Sequence, residues 1–145
     1  MSGIEKLPAG LLSRASLRGG EYAWPLAEIP AVIEAARAAN LLNVGGQLQF
    51  RLPDDGVCEC YWVEVDTYRT VAKEQPWGTR VEAAASDALS AFNQLPNEYD
   101  FLAEGQKGFA EHLAALKAAG RDPEDAMCFV WYAVSAEGDE KGNAP

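Results

Sequence analysis

Residues 43–69, NVGGQLQFRLPDDGVCECYWVEVDTYR, constrain this chain more than any other stretch. Gln47, Gln49 and Arg51 alternate with Leu48, Phe50 and Leu52, and a two-residue period is the mark of a strand with one buried and one wet face. Pro53, Asp54, Asp55 and Gly56 follow. Proline presets φ, aspartate tolerates turn positions and glycine accepts positive φ, so this is turn chemistry. A second alternating run then extends from Val57 to Thr67. The stretch reads as a β-hairpin over 44–67, with Gly45 and Gly46 marking a bulge or a close backbone approach. Strict alternation places Cys58, Cys60, Trp62, Glu64 and Asp66 on one face of the second strand. Glu59, Tyr61, Val63 and Val65 fall on the other.

Around the hairpin the pattern is helical. Pro25 and Pro30 suit a first helical turn, Ile29, Ile33 and Ala36 recur at helical spacing, and Asn40 is a natural stop, which predicts a helix over 30–40. Thr79 and Glu82 have the spacing of a capping box, and Val81, Ala84, Ala85, Ala88, Leu89 and Phe92 mark one face, which predicts a helix over 80–94 ended by Pro96. Phe109, Leu113 and Leu116 give a third helix over 106–119, with Gly120 as its C-terminal cap. The apolar run at 126–135 reads as a covered strand. Segregated strands and helices define an α+β domain, a small antiparallel or mixed sheet covered by helices. Residues 21–135 form that domain; residues 1–20 read as weakly ordered, with a short edge strand over 11–17, and 136–145 as a disordered polar tail.

The chain has 145 residues, 48% of them hydrophobic, enough for a core without disulfides or metals. It carries 22 acidic against 12 basic residues, a net charge of -10, which repels phosphate backbones and anionic membranes and attracts a basic partner. No apolar run reaches the roughly 20 residues of a membrane span, the first residues lack a signal peptide's apolar core, and three cysteines fit reduced thiols. The expected setting is the cytoplasm.

Catalytic signatures are missing: there is no G-x-S-x-G, no P-loop and no G-x-G-x-x-G after a strand, and the EGQKG stretch at 104–108 has only the look of a phosphate loop. Cys58 and Cys60 share a strand face, and with Cys128 and His112 they make the only set from which a zinc site could be drawn. Packing as small hydrophobes is the expected role of the three thiols, and a position bordering an apolar stripe that of His112. No cofactor is implied.

What stands out is an acidic and aromatic surface. Trp62, Glu64, Asp66, Asp54, Asp55, Tyr68 and Trp77 are the candidate contact residues for a basic protein, with the aromatics as anchors and the acids as the steering field. In general style such a domain is similar to bacterial toxin-immunity proteins, and that similarity implies neutralising a basic partner by covering its active surface. The alternative is a small-molecule-binding domain or an unrecognised enzyme, with a pocket between sheet and helices lined by Trp62, Tyr68 and Trp77 and a ligand fixed by Arg51 or Arg69. A third reading is a homodimer joined through the last strand at a sheet edge.

Overall fold

The computed structural model describes residues 3–68 and 71–142. Its strands are β1 (Ser16–Arg18), β2 (Glu21–Trp24), β3 (Leu42–Arg51), β4 (Val57–Asp66) and β5 (Met127–Val134). They form one antiparallel sheet in the order β1-β2-β5-β3-β4. The helices are α1 (Ala9–Leu12), α2 (Ile29–Ala38), α3 (Trp77–Glu98), α4 (Phe101–Ala118) and α5 (Ala136–Gly142). This is the α+β arrangement that the segregated pattern implies. The apolar last strand is the middle one, hydrogen-bonded to β2 on one side and β3 on the other. It offers no edge for a dimer. The outer strands are β1 and β4.

One sheet face is covered by α2, α3 and α4. Trp24, Leu48, Phe50, Phe129 and Trp131 meet the apolar stripes of those helices in a single cluster. Burying each such side chain contributes roughly 1.5–3 kcal/mol. Trp131 donates its indole N–H to the Asn43 side-chain oxygen at 2.8 Å, and the Asn43 amide donates to the Ile33 carbonyl at 3.1 Å, so β5, β3 and α2 are tied through polar groups inside the core. Asn40, with φ of 62°, ends α2 as expected: the Leu41 N–H reaches the Ala36 carbonyl at 2.8 Å and the Asn40 N–H that of Arg37 at 3.0 Å, a Schellman closure.

Two helices start earlier than their stripes suggest. α3 begins at Trp77, so Thr79 and Glu82 already lie inside it and no side chain caps its start at Pro76. The capping box is not made, because Trp77 packs against Leu42, Val71 and Ala84 and draws the first turn forward. α3 also passes through Pro96, which has no N–H to give to the Phe92 carbonyl, and the helix ends two residues later at Glu98. α4 begins at Phe101, where the Asp100 carboxylate accepts from the Ala103 N–H at 3.2 Å. The EGQKG stretch is therefore helical. Its glycines permit close contact: a Cβ at Gly105 would stand 2.5 Å from Phe50, and one at Gly108 2.9 Å from Trp62.

Both ends differ from their sequence reading where they are described. Residues Ile4–Lys6 form a 3-10 turn, α1 replaces the first half of the expected edge strand, and Ile4, Leu7 and Leu11 are buried in the main cluster. Residues Ala136–Gly142 form α5 in place of a loose tail. Asp139 is the cause: its carboxylate pairs with the buried Arg80 guanidinium at 3.1 Å and accepts the Tyr68 hydroxyl at 2.7 Å.

Candidate partner-binding surface

The hairpin forms where the alternation places it, but it is not regular. Gln47 pairs with Glu64 while the next residue, Leu48, pairs with Cys60, so residues 61–63 of β4 are inserted as a bulge. The insertion resets which side chains point where. Cys58 and Cys60 turn to the helices, and beyond the bulge so do Val63 and Val65; all four are buried. Val57, Glu59, Tyr61 and Glu64 stand exposed. Strict alternation put Glu64 with the cysteines and Trp62; the bulge places it with Glu59 and Tyr61 instead.

Trp62 turns toward α4. Its indole N–H donates to the Glu104 carboxylate at 2.8 Å, and its ring lies on Gly108. Glu104 also accepts from Lys107 at 2.8 Å, and these two hydrogen bonds, the lysine's first, hold its carboxyl below the usual range. Trp62 thus fastens a helix to the sheet. Trp77 donates its indole N–H to the Asn40 carbonyl at 3.0 Å, with the Arg80 guanidinium 5.1 Å from its ring centroid. Tyr68 holds Asp139. Two of the three expected anchors, Tyr68 and Trp77, therefore belong to one small cluster over Leu42, Val71 and Ala84, and Trp62 belongs elsewhere. They do not line one pocket between sheet and helices. Arg51 lies at the far end of β3, and Arg69 falls outside the described residues.

The acids are less spent. Asp54 and Asp55 are exposed in the turn, where the Asp54 carboxylate accepts from the Gly56 N–H at 3.1 Å and Asp55 takes a φ of 70°. Asp66 is half-buried and accepts from the Tyr68 N–H at 3.1 Å. Among the described residues Glu59 and Glu64 form no ion pair. Between Leu52 and Tyr68 there are five carboxylates and no basic residue. In their midst Tyr61 is 67% exposed, its ring meeting the Trp62 ring edge-on at 5.3 Å. Tyr61 was not among the expected contacts, and nothing in a single sequence marks a three-residue bulge at 61–63.

The thiols separate. Cys58 and Cys60 are on the helix side, while Cys128 is on the opposite face of the sheet with Ala23 and Val130. Burial pushes the Cys60 and Cys128 thiols up to about 11. His112 sits on α4 beside Phe109, with their rings 6.0 Å apart, near Leu52 and Asp54. None of the described helices is long and apolar enough to cross a membrane.

These features define a small antiparallel α+β domain with an acidic outer strand. No family model, curated protein or solved structure matches the chain.

Proposed function

We propose that this protein binds a basic protein partner through the outer face of β4 and the 53–56 turn. The observation that carries the reading is Tyr61, 67% exposed between the unpaired carboxylates of Glu59 and Glu64 on an outer strand. An aromatic ring of this kind offers a large contact area at low entropic cost, and a ring of acids around it speeds encounter with a positive surface. The net charge of -10 extends that attraction over the whole molecule. β4 also has a strand neighbour on one side only, which leaves its outer edge for backbone pairing with an extended segment. In this reading the domain works in the style of an immunity protein, covering a basic surface in the cytoplasm and performing no chemistry of its own.

Affinity capture from a lysate of the source, with the wild type beside a variant carrying Glu59→Gln, Tyr61→Ser and Glu64→Gln, tests it. One basic protein retained by the wild type, weakened by salt and lost from the variant is the expected result. Equal capture by the two proteins removes this surface from the account.

A further inference from the structure

Three arginines converge where β1 and β3 end and β5 begins. Arg18 closes β1, Arg51 closes β3 and Arg121 follows α4, and all three line a cavity of about 200 Å³. The backbone fixes the third: Gly120, with φ of 77°, turns the chain at the end of α4, and the Arg121 N–H closes on the Leu116 carbonyl at 2.9 Å. Arg18 donates to the Gly56 carbonyl at 3.1 Å. Arg51 donates to the Ser16 and Glu21 carbonyls at 2.6 and 3.1 Å and to the Gln49 side-chain oxygen at 3.0 Å. Every one of those acceptors is neutral.

In a chain with 22 acidic residues, the arrangement is unusual in what it lacks. Among the described residues no carboxylate forms an ion pair with Arg18, Arg51 or Arg121, whereas nearby Arg14 is paired with Glu28 at 3.1 Å. Arg51 is only 7% exposed; burial is the main influence against its charge and the repulsion of Arg18 adds to it, while the Glu21 carboxylate, which forms no salt bridge with it, offsets a part. A buried cation with no carboxylate in contact is costly, and an anion entering the cavity relieves that cost. The Gln49 side chain, whose oxygen Arg51 bonds, does not line the cavity, but its Nε2 is fully buried and has no acceptor among the described residues.

The lining also sets the size of the charge. Three arginines face two aspartates, Asp122 and Asp125, a net of +1 that suits a single anionic head and not a polyphosphate or nucleic acid. Leu116 and Arg121 line as well a neighbouring cavity of about 290 Å³, to which Leu52, Pro53, Ala115 and Ala119 give apolar wall and Asp54 and His112 polar wall.

We propose that this cleft binds a small organic anion, its carboxylate or phosphate held by Arg18, Arg51 and Arg121 and its apolar part laid along Leu116. The site adjoins the β4 surface at the 53–56 turn, where Pro53 lines the cavity and Arg18 bonds the Gly56 carbonyl, but its three arginines are no part of that surface, and it stands whether or not that surface binds a partner.

Calorimetric titration of the full chain with hexyl phosphate, hexanoate, inorganic phosphate and hexanol tests this. Hexyl phosphate or hexanoate is expected to bind, and which of them binds more tightly tells phosphate from carboxylate. Hexanol is expected not to bind, and inorganic phosphate to bind more weakly than its hexyl ester. Arg18→Gln and Arg121→Gln, neither of which leaves a buried charge, should each weaken binding at least about tenfold, while Arg14→Gln should leave it unchanged. No heat from either anion, or equal binding by the Arg18→Gln/Arg121→Gln double variant checked for unchanged melting, overturns the assignment.

Discussion

On one face of the sheet, Phe129, Trp131 and Ala133 of β5 lie beneath helices; on the other, Cys128 and Val130 of β5 and Ala23 of β2 lie beneath none of the described α-helices, and yet Val130 is as inaccessible as Phe129. The second face is spanned by polar side chains bonded across its strands. Arg51 reaches from β3 past β5 to the carbonyls of Ser16 and Glu21, and Tyr132 gives its hydroxyl to the Glu21 carboxylate. Burial first, and that carboxylate second, keep the Tyr132 phenol protonated well above its ordinary range. A face that alternation marks as polar is therefore not a wet face. Long side chains can exclude water from a strand as a helix does, at the cost of holding their own polar groups in fixed bonds.

The contrast predicts a graded set of responses. The largest belongs to the helix side: Trp131→Ala should cost about 3–5 kcal/mol in denaturant unfolding, because it opens a large void and strands the Asn43 side chain. A cost near zero would mean that the helices do not carry the core. On the other face, Arg51→Met keeps the aliphatic stem but frees the Ser16 and Glu21 carbonyls. It should cost about 2 kcal/mol and speed amide exchange in β1 and β2, and an unchanged exchange pattern would dissolve the strap.

Cys60 and Cys128 lie on opposite faces and are both held up to about 11 from an ordinary 9.0. Both should resist alkylation at mildly alkaline pH to the same degree, and fast labelling of Cys128 alone would show its face to be wet. Unfolded thiols ionise near 9.0 and folded ones near 11, so their contribution to stability is whole below 9.0 and is lost as pH rises toward 11. Replacing both by alanine should flatten that decline. The smallest effect is expected at the rim: Tyr61→Ser should change stability by no more than about 0.5 kcal/mol, since its side chain covers little.

The hairpin, its Pro53–Gly56 turn, the buried last strand and the three long helices were legible because each rests on a local period or a local turn. Asn40 and Gly120 were legible as stops for the same reason. What was hidden depends on contacts between distant residues. The β4 bulge exchanges Trp62 for Tyr61 as the outward aromatic. The Asp139–Arg80 pair orders a polar tail, and the glycines of EGQKG admit Phe50 and Trp62. The acidic character of the candidate surface could be read from Asp54 to Asp66, whereas the identity of its anchor could not. A side chain's face follows from alternation only while the register is unbroken.

The most direct test of the β4 surface is photo-crosslinking in cells of the source, with a photoreactive phenylalanine at position 61 and, in a second protein, at Leu17 on β1, which is 55% exposed on the opposite outer strand. The account predicts a crosslink from position 61 to one basic protein and none from position 17. A crosslink from position 17 alone, or none from either, would contradict it.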